Sequence, residues 1–120
     1  MSNLEVGTWD LSDSSLVTPY FDALVKQLVK DVGDDEFENK IKSLKVGDVS
    51  TLLEEVSTYF KWLLSSAPRE FAQKLYLIDL PEKILKKSLG GHGYDWGKFV
   101  DQLVRRELLK VVLRNYYSNL

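Results

Sequence analysis

The residues best suited to chemistry gather at Gly90-Gly91-His92-Gly93, a glycine-rich loop that holds the single histidine of the chain. Glycines let backbone N–H groups approach a phosphate closely, and the first free amides of a following helix can hold an anion. Lys98, with Lys87 on the other side, adds positive charge beside His92. Gly91, His92, Gly93 and Lys98 are therefore the candidate ligand-binding residues. Neither familiar phosphate motif is complete, however. A dinucleotide fingerprint follows a strand, and a P-loop ends in Gly-Lys-Ser/Thr. Here a helical pattern precedes the loop, and the order further on is Gly97-Lys98-Phe99. The same residues also read as a helix C-cap followed by a solvated turn.

Other chemistries are closed by residue counts. With no cysteine there is no thiol nucleophile, thiolate zinc site or disulfide framework. One histidine cannot build a two-histidine metal site, and any histidine-dependent triad would have to pass through His92. The acidic run Asp34, Asp35, Glu36 and Glu38 lacks the alternating oxygens and central glycine of a calcium loop, and carboxylates at a helix start are favoured by the helix dipole alone. Glu54 and Glu55 lie side by side on the polar face of a helix, where no cleft is implied for paired-carboxylate catalysis. No catalytic residue, metal ligand or cofactor is expected.

Binding features are better represented. Arg106, Lys110 and Arg114 are spaced four apart and project along one stripe of the last helix, a basic stripe able to meet phosphates. Against a nucleic-acid partner stand a pI near 5.4 and the lack of a helix-turn-helix pattern. The same helix has one broad apolar face from Trp96 to Val112 and a second stripe, Leu109, Leu113, Tyr116 and Leu120, about 100° round the axis. A helix that is apolar almost all round is either central in its own domain or covered by another chain. Trp62 lies on the opposite side of its helix from the apolar stripe, and tryptophan is enriched at binding hot spots. Trp62, Leu109, Leu113, Tyr116 and Tyr117 form the candidate interaction surface.

The elements that must position these residues are all helical. Residues 1–15 hold Gly7 and four serines without a sustained period and read as an extended N-terminal arm, with Trp9 docking on the body. From Thr18, placed as an N-cap before Pro19, apolar residues recur at helical spacing to Val32, and Gly33 stops them. Phe37, Ile41 and Leu44 mark a short helix closed by Gly47. A long helix from Asp48 or Ser50 carries an apolar stripe from Val49 to Leu64. Pro68 starts another, with Phe71, Ala72, Leu75, Tyr76 and Ile78 inward. Asp79-Leu80-Pro81-Glu82 has the form of a capping box, and Asp95 is placed to cap the final helix, which runs to about Tyr117.

Those elements make an all-α, compact bundle of four to five main helices plus a short one, with antiparallel neighbours. A single helical domain covers residues 16–120, because no linker separates two patterned regions. At 120 residues, 44% hydrophobic and 28% charged, such a domain can hold a core without staples. Charge is uneven: residues 1–60 carry 5 basic and 12 acidic side chains (−7), residues 61–120 carry 11 and 6 (+5). The halves attract, so the bundle has either two poles or a basic face for an acidic partner. No apolar run approaches the ~20 residues of a membrane span. The start also lacks the form of a signal peptide, so a cytoplasmic protein is expected. The function expected is a small non-catalytic protein–protein interaction module, homodimeric through its last helix or bound to another protein. The alternative is a small-molecule or anion binder at the Gly90–Gly93 loop.

Overall fold

A computed structural model describes residues 6–80 and 95–118. All regular structure among them is helical. A 3-10 turn at Val6–Thr8 and a single α-turn, α1 (Ser14–Val17), precede a second 3-10 turn at Thr18–Tyr20. Then follow α2 (Phe21–Val32), α3 (Asp35–Lys42), α4 (Val49–Ser66), α5 (Pro68–Ile78) and α6 (Trp96–Ser118). The all-α bundle read from the sequence is the fold.

Local chemistry accounts for most boundaries. Gly33 ends α2 in the left-handed conformation, φ 63°, with its N–H on the Val29 carbonyl, a backbone setting that glycine reaches without strain. Asp34 then caps α3 by accepting from Phe37 N at 2.9 Å, and Asp48 caps α4 by accepting from Thr51 N at 3.1 Å. Ala67 serves as the end of α4 and the start of α5, with Pro68 in the first turn where no N–H is needed. The Thr18 cap is replaced by something tighter. Residues 18–20 wind as a 3-10 turn and α2 starts only at Phe21, with no side-chain cap.

The core is one cluster, and α6 runs through its centre. This helix packs on α2, α4, α5 and both 3-10 turns. Along it Phe99, Leu103, Val104, Leu108 and Val112 are buried, and Leu109 packs partly buried against the core. The broad face and Leu109 of the second stripe are covered within the chain because α6 has neighbours on several sides, whereas Leu113 and Tyr116 are half-buried and Leu120 lies outside the described residues. Pairs along α6 fix its direction. Arg114 reaches Gln27 and Lys110 reaches Asp31, so α6 runs antiparallel to α2. Trp96 Nε1 donates to Ser57 Oγ at 2.9 Å and anchors the start of α6 to the middle of α4.

The N-terminal arm is held on the body by Val6, Trp9 and Leu11, all buried, and by Arg105, whose Nη1 donates to the Val6 carbonyl at 2.8 Å. On α5 the inward set is narrower than its sequence implies. Phe71, Leu75 and Ile78 are buried, whereas Ala72 is exposed and Tyr76 is 84% exposed. α5 is seated along one seam against α4, α2 and α6. Among the described residues no helix covers those one step round from that seam.

Candidate functional site

Two places concentrate side chains of functional type, and only one of them is open to solvent. The closed one lies beneath α6. Asp31 Oδ2 accepts from Lys110 Nζ at 2.7 Å and from Gln27 Nε2 at 2.9 Å. Gln27 Oε1 in turn accepts from Arg114 Nη2 at 2.8 Å. Glu107, one turn before Lys110, has no exposed surface at all. Its Oε2 stands 2.9 Å from Lys110 Nζ, although neither carboxyl oxygen completes a directional hydrogen bond as an acceptor among the described residues.

Burial is the largest influence on that carboxyl, and the facing Asp31 carboxylate adds to it, so Glu107 is pushed up to about 8. Asp31 moves the other way. Hydrogen bonds from Glu107, Lys110 and Gln27 outweigh its own burial and hold it below the usual carboxylate range. The consistent assignment at neutral pH is a neutral Glu107 near an ionised Asp31, whose charge Lys110 balances. A short ion contact alone would suggest two charged acids. With a single cation beside them, burial of a second negative charge costs more than it returns. The cluster is a polar seam holding α6 to α2, and a substrate has no path to the Glu107 carboxyl without displacement of α6.

The basic stripe is spent on this seam. Arg106 Nη2 donates to Asp79 Oδ2 at 2.9 Å, Lys110 bonds Asp31 and Arg114 bonds Gln27. Sequence spacing correctly aligns the three on one side of α6. That side runs along α2 and the end of α5, with Lys110 and Arg106 half-buried and Arg114 exposed. Asp79 itself adopts the left-handed conformation, φ 64°, and ends α5. The partner half of its expected capping box, Glu82, lies outside the described residues, as do Gly91, His92 and Gly93. At the N-terminus of α6, Lys98 is exposed and its backbone N–H is already engaged by Asp95 Oδ1 at 3.0 Å, the cap expected from the sequence.

The open place is a groove of about 270 Å³ between α3 and α4. Asp34, Glu36, Phe37 and Lys40 line it from α3 and its cap, and Glu55, Thr58, Tyr59 and Trp62 from α4. Its floor is aromatic: the Tyr59 ring lies 5.1 Å from Phe37 and 6.1 Å from Trp62, centroid to centroid, in tilted contact. Phe37 is buried, Tyr59 half-buried, and Trp62 is 56% exposed. Burial, reinforced by the Asp34 and Glu70 carboxylates, pushes the Tyr59 hydroxyl up to about 12 and keeps it neutral.

Of the candidate interaction residues, only Trp62 lines this groove. Leu109 lies elsewhere, in a hollow with Val6 and Leu80. Leu113 and Tyr116 are half-buried, and Tyr117 is exposed at the far end of α6. By sequence Glu55 belongs to the polar face of its helix, with no cleft implied. A cleft exists because the short α3 seats only Phe37 and Ile41 in the core, leaving a hollow beside the α4 residues that point past it. What the sequence lacked was the juxtaposition of α3 and α4. Phe37, Tyr59 and Trp62 were visible, but nothing local said they would meet.

Among the described residues no group of three or more acidic or histidine side chains is arranged to hold a metal ion, and no helix is long and apolar enough to cross a membrane. The chain matches no known family model, no curated protein and no solved structure.

Proposed function

We propose that this chain is a small non-catalytic protein-interaction module whose principal contact surface is the Trp62 groove between α3 and α4. The observation that carries the reading is a half-exposed tryptophan resting on tyrosine and phenylalanine at the mouth of a concave surface. Leaving so large an apolar side chain in water forgoes burial free energy, and buried aromatic anchors are what dominate protein interfaces. The volume of the groove, about 270 Å³, falls below the range of roughly 300–1,000 Å³ usual for small-molecule sites. It suits one or two side chains of a protein partner.

Absence of catalysis in this reading rests on access. The carboxyl with the most displaced protonation, Glu107, is sealed under α6. Self-association through α6 is the less favoured form of the reading, because much of that helix is already enclosed by α2, α4 and α5.

The test is site-directed photo-crosslinking in the source cell, with the photoreactive residue at position 62 and, as a control, at exposed Lys26. A discrete protein captured from position 62 alone, whose purified form binds the wild-type chain and not Trp62→Ala, supports the module. Identical capture from both positions, or none from 62, defeats it. Light scattering after size exclusion, at low and high salt, decides whether the partner is a second copy.

A further inference from the structure

The groove has a charge as well as a shape. Its lining holds three carboxylates, Asp34, Glu36 and Glu55, against one ammonium, Lys40. Glu70 lies near enough to act on the Tyr59 hydroxyl, adding further negative potential. Glu36 is exposed and Glu55 half-buried at the lining, while Asp34, half-buried, is engaged through Oδ1 as the cap of α3 and contributes its charge at the rim. These carboxylates surround an exposed indole, the side chain whose face attracts a cation most strongly. A cation over Trp62 would meet aromatic electron density and carboxylates together, with less water to screen them than on open surface.

Resting on the docking reading above, we infer that the groove receives a basic segment of another protein, one that sets an arginine or lysine against Trp62 between the α3 and α4 carboxylates and packs a neighbouring apolar residue on Tyr59. Each competing occupant meets a physical objection. Nucleic acid and anionic lipid surfaces would bring negative charge to a negative groove. A metal ion needs its carboxylates converged, and no such convergence exists among the described residues. A second copy meeting this face across a two-fold axis would set the same carboxylates against one another, and one presenting its exposed lysines instead is read out by the oligomeric state. The excess of carboxylates in the lining therefore favours a basic segment of another protein.

The experiment uses the full chain, isotopically labelled, and three short peptides of identical apolar content in which the remaining positions are arginine and lysine, glutamate, or serine and glutamine. Amide and indole NMR shifts locate binding and calorimetry measures it at low and high salt. The basic peptide is expected to shift the Trp62 indole and the Glu36 and Glu55 amides, to bind at least about tenfold more tightly than the acidic one, and to weaken at high salt. The double charge reversal Glu36→Lys with Glu55→Lys, at positions with at least partial exposure, is expected to keep the helical circular dichroism and to invert the preference toward the acidic peptide. Equal binding of all three peptides at Trp62 overturns the basic-partner inference while leaving the docking surface standing. No shift at Trp62 with any peptide overturns both. Retained preference for the basic peptide after charge reversal assigns the selectivity to other residues and overturns the inference.

Discussion

Lys110 Nζ lies 2.7 Å from Asp31 Oδ2, a bond between residues 79 positions apart that ties the last helix to α2. The two side chains are only 19% and 12% exposed, and Glu107 beneath them is fully buried. The pair therefore belongs to the packed interior, where losing one partner strands the other. Arg114–Gln27 and Arg106–Asp79 extend the same seam along α6.

Lys110→Ala is accordingly expected to destabilise the fold by about 3 kcal/mol, since a lone buried acid costs far more than a missing surface pair. Replacing Asp31, Glu107 and Lys110 together with buried Gln27, whose Nε2 bonds Asp31, by leucine or methionine is expected to be near neutral, because no buried polar group of the cluster is then left without a partner. Urea denaturation of the two variants distinguishes this from an additive loss.

Stability should depend on pH through the same cluster. Glu107 is held up to about 8 in the folded chain against an ordinary value of 4.5, so between those values the folded state binds more protons than the unfolded one. Its contribution is present below the ordinary value and is lost as pH rises through about 8. Asp31, lowered by its partners, contributes above its ordinary value, and that contribution is lost as pH falls through its lowered value. Denaturation midpoints should fall from pH 6 to pH 9, and Glu107→Gln should flatten that slope with little change at pH 6. A slope unaltered by the substitution would place the titrating group elsewhere.

Caps and backbone conformation make a separate prediction. Asp48→Ala removes the bonds to Thr51 N and Oγ1 and is expected to cost about 1 kcal/mol. Gly33→Ala meets no atom within 4 Å, so its expected cost, again about 1 kcal/mol, comes wholly from holding alanine at φ +63°. Thermal melts of the two single variants and the double variant should show nearly additive losses.

Core and groove should separate cleanly. Phe60 and Trp62 are two residues apart on α4, one wholly buried and the other 56% exposed. Phe60→Ala is expected to cost about 3–5 kcal/mol through cavity formation, whereas Trp62→Ala should change stability by less than about 0.5 kcal/mol and act on partner binding alone. Comparable destabilisation by both would make Trp62 a structural residue.

The helices were readable because their causes are local. Asp34 and Asp48 capping, Gly33 termination, Pro68 initiation and the Val49–Leu63 stripe each depend on residues within one or two turns. Asp95 at the start of α6 belongs with them. Even Glu107 was legible in part, since it stands four residues from both Leu103 and Val111, at the centre of the apolar face. Its meaning was not, because its partner Asp31 is on another helix.

Tertiary structure decided what each face meets. Amphipathic spacing says that a side of a helix must be covered, without naming the cover. It thus could not tell that the broad face of α6 and Leu109 beside it would meet several neighbours, or that the basic stripe would be spent on Asp31, Asp79 and Gln27. Nor could it tell that Tyr76 would be left in water, or that Phe37 would sit under Tyr59 and Trp62 to make a groove. Helix propensity and capping act over a few residues of chain, whereas contacts between helices depend on how every element packs at once.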